Sequence, residues 1–469
     1  MVPLAGAPQP STGLPVTFLD GIRRPLLQFL RIQAAGAGVL VVATLCALVL
    51  SNSPWGDTVE GFWETHGGFR IGSFDYERSL REWINDALMT LFFFVVALEL
   101  KRELVFGELR RLRIAAFSIA AALGGMVVPA GIYLALRGSG LGQAGWGTVV
   151  ATDTAFVIGA LAVLGDRVPG SLRAFLLSLA IVDDIGAIGV IAVGYSGPVS
   201  WAALGLGLLA IVGLYTLARL GVRSFVPFML VGLLLWAAVD ASGVHATVAG
   251  VIIGLMTPAR RWVSDQRLYA ILGQVIAHPT QSEGVGATAD RSTLQLAEVA
   301  ARETLSPLER LELALHPWVA FLVLPLFALA NAGLEFRFDD IDGGLVVAVI
   351  GAFVVGKPLG ILGFCWLALR LRIAERPRGL DWGLLTGGGL LAGIGFTMAL
   401  FIAQLAFGDE MLESAKFGIF LGSLLAAGAG LAVLSFASRG RTPGSSDTSG
   451  RTPEPFPAAA ARSEARPID

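Results

Sequence analysis

Long apolar runs separated by short polar segments dominate this chain. A window long enough to cross about 30 Å of hydrocarbon locates twelve of them. They are centred near residues 43, 91, 125, 155, 184, 210, 233, 250, 325, 357, 395 and 427. The pattern predicts an all-α polytopic membrane protein with twelve transmembrane helices.

The amino-acid composition supports this prediction and excludes some other classes of protein. Of 469 residues, 55% are hydrophobic and 15% are charged, whereas a soluble domain has about 25% charged residues. The net charge is -2 and no basic patch is interleaved with aromatic residues, which excludes a nucleic-acid-binding protein. Cys46 and Cys365 both lie in apolar runs, so we interpret them as small hydrophobic side chains rather than a disulfide or metal site.

Basic residues are distributed unevenly between the loops on the two sides of the predicted bundle. Loops 101–113, 166–173, 219–223 and 370–378 carry 5, 2, 2 and 4 Lys or Arg residues. The loops on the other side carry Arg70, Arg78, Arg81, Arg137, Arg337 and Lys416. Because short basic loops stay in the cytoplasm, the first set should be cytoplasmic and both termini should lie on that side.

Three stretches differ from the spans in composition. They are an N-terminal tail (1–20), a polar insert at about 260–308 and a Pro/Ser/Arg-rich tail (438–469). The last has the composition of a disordered segment, and the insert is expected to be partly ordered and cytoplasmic. The transmembrane domain is therefore predicted to occupy residues 21–437.

A few ionisable residues lie deep inside apolar runs, where each costs several kcal/mol unless it is paired, hydrated or neutralised. These residues are Asp153, Asp183, Asp184 and Lys357. At 1.5 Å per helical residue, Asp153 and Lys357 lie about 20 Å, and Asp184 about 17 Å, from the cytoplasmic ends of their spans. A short loop joins the spans of Asp153 and the aspartate pair, so Asp153 and one of these aspartates can share a cavity. Successive helical residues point in different directions, so Asp183 and Asp184 should have different partners.

Lys357 is unusual because arginine supplies nearly all the positive charge. Among 34 basic residues only Lys101, Lys357 and Lys416 are lysines. A desolvated lysine can lose its proton, whereas arginine stays charged. We interpret Lys357 as a titrating group or as the counter-ion of a carboxylate. For any single buried aspartate, a polar contact between helices is the alternative.

Glycines are concentrated in the fourth and eleventh predicted spans. They include Gly145, Gly147, Gly387, Gly388, Gly389, Gly393 and Gly395. Such spans can break at membrane depth and line a cation site with half-helix ends. Close helix packing through small residues is the other interpretation.

Eight motifs occur in a fixed order along residues 22–437. They are WIND at 83–86, LELKREL at 98–104, ATD at 151–153, IVDDIGA at 181–187, SGVHAT at 242–247, LHPWVA at 315–320, GKPLG at 356–360 and GIGFTM at 393–398. Together they resemble the NhaA-type sodium/proton antiporters of bacteria. The resemblance implies twelve helices with inverted repeats, two discontinuous helices (spans 4 and 11) and alternating access around a central site.

The resemblance also implies a function and a set of site residues. The protein would be a transporter rather than an enzyme, exchanging cytoplasmic Na+ or Li+ for external H+ electrogenically, with no cofactor besides the transported ions. Asp153 and Asp184 would bind the metal ion, Thr152 would adjoin it, and Asp183 would pair with Lys357.

A further group would be linked to the pH response: Asp86, Glu99, Glu103, His245 and Glu312. Glu99 and Glu103 can equally anchor the membrane edge, and His245 can be a helix-end residue. The sequence departs from the family at Thr154, where an aliphatic residue is usual, at Leu313, and in the longer insert before residue 309.

In residues 69–76, apolar and polar residues alternate on both sides of a Gly-Ser pair. This pattern favours a β-hairpin outside the membrane or a capped loop. This segment resembles the family region that pairs between protomers. A homodimer in the lipid of the bacterial inner membrane is therefore expected.

Two other classes share some of these features. A cation channel or another ion-coupled symporter also contains buried charges, although a channel needs no titrating lysine. An intramembrane aspartyl protease also uses two spanning aspartates, but no Asp here has the Gly-x-Gly-Asp context expected of that class.

Overall fold

The computed structural model describes residues 33–438, except 72–73, 139, 141, 221–224, 261–266, 268, 272–294, 296, 301–303 and 336–340. The predicted N-terminal tail, nearly all of the C-terminal tail and most of the 260–308 insert lie outside the described residues. Within them the chain is mostly helical, in agreement with the predicted all-α polytopic membrane protein.

The described helices follow one another with short connections. In chain order they are α1 (Gln33–Ser51), α2 (Gly56–Trp63), α3 (Leu80–Val105), α4 (Leu112–Arg137), α5 (Thr154–Leu164), α6 (Gly170–Gly194), α7 (Trp201–Arg219), α8 (Phe225–Ala241), α9 (Thr247–Met256), α10 (Pro307–Asn331), α11 (Gly343–Arg370), α12 (Trp382–Leu391), α13 (Phe396–Ala406) and α14 (Asp409–Ser438). A 3-10 segment, Gln143–Val149, precedes α5, and shorter 3-10 turns occupy Glu108–Arg110 and Gly165–Arg167.

Length and hydropathy determine which helices can cross a membrane. Eight described helices can do so, when the 3-10 segment and α5 are taken together, and ten if two bent helix pairs each count as one span. The bent pairs are α1 with α2, at 117°, and α12 with α13, at 48°. Helices α8 and α9 are apolar but shorter.

Three of the long helices contain one wider, π-helical turn. These turns are Ile84–Leu88 in α3, Val319–Val323 in α10 and Ala352–Gly356 in α11. A π turn inserts an extra residue into the helical repeat and is frequently found at functional sites. Asp86 lies within the first turn, and Lys357 follows the third directly.

Glycines bring α4 and α11 into backbone contact. A Cβ atom at Gly360 would lie 2.0 Å from the carbonyl oxygen of Gly124, and one at Gly356 would lie 2.8 Å from the Cα of Pro129. No larger residue fits at these points without moving a helix. The contact therefore fixes α11, and with it Lys357, against the centre of the bundle.

An antiparallel hairpin precedes α3. Strands β1 (His66–Ile71) and β2 (Phe74–Ser79) pair with Phe69 opposite Tyr76. The hairpin thus extends beyond the predicted segment 69–76 at both ends. Ser79 then caps α3, because its hydroxyl accepts from the Glu82 amide while the Glu82 carboxylate accepts from the Ser79 amide.

Candidate functional site

Two interruptions in the helices contact each other in the buried centre. Residues 151–153, before α5, and 394–395, before α13, have no regular structure. The Asp153 amide donates to the Ile394 carbonyl oxygen at 2.7 Å, and the Thr152 hydroxyl donates to that of Ala392 at 2.9 Å. Backbone groups that lose their helical partners at one interruption are therefore satisfied by the other.

Asp153 lies at the N-termini of two helices. It is the N-cap of α5, where its Oδ1 accepts from the Phe156 amide at 3.2 Å. Its Oδ2 accepts from the Thr397 amide at 2.9 Å and from the Thr397 hydroxyl, both in the first turn of α13. The positive ends of two helices therefore favour a negative charge at Asp153.

Lys357 joins the first interruption to α6. Its ammonium lies 2.8 Å from Asp183 Oδ2 and 2.9 Å from Thr152 Oγ1, and it also donates to the Val150 carbonyl oxygen. An ammonium has three hydrogens to donate, so all three have acceptors. Lys357 and Asp183 are each 1% exposed, which makes this a buried ion pair.

Asp184 has the weakest hydrogen bonding of the three buried aspartates. It is 3% exposed, and its Oδ2 lies 3.4 Å from the Thr154 hydroxyl. Its Oδ1 is buried without a hydrogen-bond partner among the described residues, as is Asp183 Oδ1. Asp184 also lies within electrostatic reach of Asp153 and Asp183. It therefore has free lone pairs that a cation or a proton can take.

The charges of this cluster do not balance. Asp153, Asp183 and Asp184 carry three negative charges when ionised, and Lys357 supplies one positive charge. All four side chains are buried, so the two uncompensated negative charges are costly unless a cation or protons neutralise them. A site of carboxylate and hydroxyl oxygens with this imbalance is suited to a small, hard cation.

The predicted pH-response residues fall into two groups on α3 and its neighbours. Asp86 lies in the π turn near the hairpin, where it pairs with Arg78 and its Oδ1 is 3.8 Å from His245 Nε2. Glu99 lies thirteen residues further along, about 20 Å at helical rise. The structure therefore does not bring Asp86 and Glu99 together.

The second group lies between α3 and α10. Glu99 Oε1 is 3.1 Å from His316 Nδ1, and Glu312 pairs with Arg102. Glu103 lies one helical turn beyond Glu99, with its carboxylate beside Gly107. This group is a carboxylate-rich cluster with histidine and arginine partners at one end of the bundle.

Sequence reasoning missed several partners of the predicted residues. Thr397 donates to Asp153. Its position just after Gly393 and Gly395, in a span that the glycines can break, is the sequence feature that could have identified it. Arg78 contacts both Asp86 and Asp240, the latter at 2.7 Å. Tyr76 also donates to Asp240 at 3.0 Å, and burial together with the Asp240 charge raises the pKa of Tyr76 to about 12.

Comparison with known proteins decides the family. A family model described as Na+/H+ antiporter 1 matches residues 27–434. The chain belongs to this antiporter family. Its members are transporters rather than enzymes, and every residue of the buried cluster lies inside the matched region.

Relatives of this antiporter match it over most of both chains. A Na(+)/H(+) antiporter NhaA of Rhizobium meliloti (strain 1021) is 56% identical over 421 residues, which cover 90% of this chain and 96% of the relative. A Na(+)/H(+) antiporter NhaA 2 of Vibrio vulnificus (strain CMCP6) is 50% identical over 429 residues, covering 91% and 96%. An NhaA of Rhodopirellula baltica is 47% identical over 422 residues, covering 90% and 96%. The chain therefore spans nearly the full length of these antiporters.

Proposed function

We propose that this protein exchanges cytoplasmic Na+ or Li+ for external H+, with Asp153 and Asp184 as the cation-binding carboxylates. The observation that carries the proposal is the buried Asp184 carboxylate, one oxygen of which has no hydrogen-bond partner among the residues that the structure describes, beside the paired helix interruptions. Membership of the Na+/H+ antiporter family supports the choice of ions.

The proposed mechanism is competition for the same oxygen atoms. A hard cation needs ionised carboxylates as ligands, whereas a proton on either carboxylate removes that ligand. Burial favours the neutral state of the cluster, so either a cation or protons must be bound. External protons then displace the cation outward, and cytoplasmic cations displace protons inward, as access alternates between the two sides.

The charge of the cluster favours electrogenic exchange. Two protons neutralise the two uncompensated negative charges, whereas one monovalent cation neutralises only one. A cycle that alternates between these states moves more protons than cations. Transport would then respond to membrane voltage as well as to the pH gradient.

Asp183 and Lys357 have a different role in this proposal. Their ion pair ties α6 to α11 and to Thr152 beside the cation site. The saturated donors of Lys357 favour a counter-ion that holds the interruption in place. A proton carried by Lys357 itself is the alternative, and the lysine substitutions described in the Discussion distinguish the two.

The proposal also includes the number and arrangement of the membrane spans. The eight long helices, the two bent pairs and the two short apolar helices together would give twelve spans in inverted repeats, with discontinuous spans 4 and 11. The antiporter domain would be residues 21–437 of a homodimer in the bacterial inner membrane, with both termini cytoplasmic. The pairs Glu99 with His316 and Glu312 with Arg102 support a pH-responsive role at one end of the bundle.

The test is an ion-flux assay in proteoliposomes with an imposed pH gradient and a pH-sensitive dye. Sodium and lithium should each dissipate the gradient, while potassium should not. At a fixed pH gradient, the exchange rate of an electrogenic exchanger should also change when a membrane voltage is imposed. The proposal fails if neither sodium nor lithium moves protons between pH 6 and 9, or if potassium does so equally well.

A cation channel is the competing function. A channel would pass sodium without a pH gradient and without moving protons. The assay separates the two, because sodium uptake that persists after the pH gradient is collapsed, with no proton movement, would indicate a channel.

A further inference from the structure

Thr154 is the first residue of α5, directly after Asp153, and its hydroxyl is directed at α6. A threonine within a helix commonly bonds a carbonyl oxygen of its own preceding turn. Thr44 does so, with its hydroxyl 2.8 Å from the Leu40 carbonyl oxygen. Thr154 instead places Oγ1 3.4 Å from Asp184 Oδ2.

This distance is long for a hydrogen bond between a hydroxyl and a carboxylate. Such bonds have oxygen separations of about 2.5–3.0 Å. A separation of 3.4 Å instead suits two oxygen atoms that share one cation. Sodium is close to calcium in ionic radius, and calcium binds oxygen at about 2.3–2.6 Å. Two ligands at right angles around such an ion lie about 3.4 Å apart.

A second observation points to a ligand at the same place. Asp184 Oδ1 is buried without a hydrogen-bond partner among the described residues. A buried ionised oxygen in that condition is costly. Asp184 therefore presents one free oxygen and one oxygen at ligand spacing from a hydroxyl, both beside the N-terminus of α5.

We propose that Thr154 is an additional oxygen ligand of the transported cation, shared with Asp184. The assignment rests on the proposed exchange function. It adds a neutral hydroxyl to the two carboxylates Asp153 and Asp184. A neutral ligand strengthens cation binding without adding a negative charge for protons to neutralise.

The test compares Thr154→Val, which replaces the hydroxyl with a methyl group of similar size, with Thr154→Ser, which keeps the hydroxyl. Thr44→Val is the matched control, because it removes a threonine hydroxyl that bonds the main-chain carbonyl of Leu40 in its own helix. Apparent KM and maximal rate for sodium and for lithium are measured in proteoliposomes at one fixed alkaline pH. Thermal stability in detergent is measured with each ion over the same concentrations.

Thr154→Val should raise the KM for sodium by about tenfold, the effect of losing one good polar contact. The KM for lithium should rise as well, and the maximal rates should stay within about twofold. The stabilisation by sodium should weaken in parallel. Thr154→Ser should restore most of the sodium affinity, and Thr44→Val should leave both KM values unchanged.

Two results would overturn the assignment. In one, Thr154→Val keeps the wild-type KM for both ions. In the other, the KM values rise but Thr154→Ser does not restore them, as expected of a purely structural residue. A wild-type protein that exchanges neither ion would instead overturn the proposed function. The two failures are therefore distinguishable.

Discussion

Lys357 Nζ lies 2.8 Å from Asp183 Oδ2 in a part of the bundle where both side chains are about 1% exposed. The same ammonium also bonds Val150 and Thr152 in the interruption before α5. The Lys357 ammonium on α11 therefore contacts both α6 and the interruption before α5, where the candidate cation site begins. Its removal should affect both folding and transport.

Lys357→Ala should lower the thermal stability in detergent. Breaking a buried ion pair by deleting one partner costs about 3–5 kcal/mol, because the other charge stays buried without compensation. Lys357→Arg keeps the charge and should retain exchange, but its larger head group must fit a filled site, at a cost of about 1–3 kcal/mol. We therefore expect the order wild type, Arg variant, Ala variant in melting temperature.

The double variant Lys357→Ala with Asp183→Asn provides the control. It removes the stranded charge, so it should be more stable than Lys357→Ala alone. An alanine variant as stable and as active as wild type would show that Lys357 is neither a partner nor a carrier. An arginine variant that folds but cannot exchange would favour Lys357 as a proton carrier.

Asp184→Asn and Asp153→Asn should both reduce exchange to the level of empty liposomes, because each removes a proposed cation ligand. Their effects on stability should differ. Asp184→Asn removes a buried charge and no strong hydrogen bond, so the protein should remain folded. Asp153→Asn keeps a good N-cap for α5, but its amide group would meet the Thr397 donors. It should therefore melt lower than Asp184→Asn.

Melting curves recorded with and without sodium check this contrast. Sodium should stabilise wild type, since a ligand of the native state raises its stability, and should not stabilise Asp184→Asn. Potassium at equal ionic strength is the control. Exchange near the wild-type rate in either variant would remove that aspartate from the site.

The burial of Asp153, Asp183, Asp184 and Lys357 could be predicted from sequence, because each lies deep inside a long apolar run. The pairing of Asp183 with Lys357 came from family resemblance. The contact of Thr397 was missed because its partner, Asp153, lies 244 positions away in sequence. No local pattern records such a contact.

The π turns in α3, α10 and α11 were also absent from the sequence prediction. A single inserted residue leaves the apolar pattern of a buried helix nearly unchanged, since these helices are apolar on most faces. Arg78 was assigned only to a loop, because its partners Asp86 and Asp240 lie on two helices, α3 and α8, outside its own strand β2. Contacts of this kind follow from tertiary packing rather than from periodicity.

Gly360→Ala should destabilise the protein, because the added Cβ would lie 2.0 Å from the Gly124 carbonyl oxygen. Helices α4 and α11 would have to separate, and Lys357 lies one turn away from the contact. Gly363→Ala is the matched control on the same helix, since a Cβ there meets no atom within 4 Å. We expect a lower melting temperature and slower exchange for Gly360→Ala only. Equal melting temperatures for the two variants would contradict the close contact.

The hairpin provides the last prediction. A two-stranded sheet such as β1 with β2 has outer edges to which a strand of another chain can add. We expect a homodimer that forms through this edge. Deletion of residues 69–76 should give monomers that still exchange ions, because the proposed cation site lies among the buried helices. Crosslinking and light scattering in detergent measure the oligomeric state, and the proteoliposome assay measures exchange.

Tyr76→Phe is the matched control for this deletion. It removes the hydroxyl that bonds Asp240 at 3.0 Å but keeps both strands, so the dimer should persist. If the dimer forms through the strand edge, only the deletion should yield monomers. A deletion variant that crosslinks as well as wild type would place the dimer contact elsewhere. Monomers from Tyr76→Phe alone would show instead that the anchoring of the hairpin to α8, rather than its free edge, controls assembly.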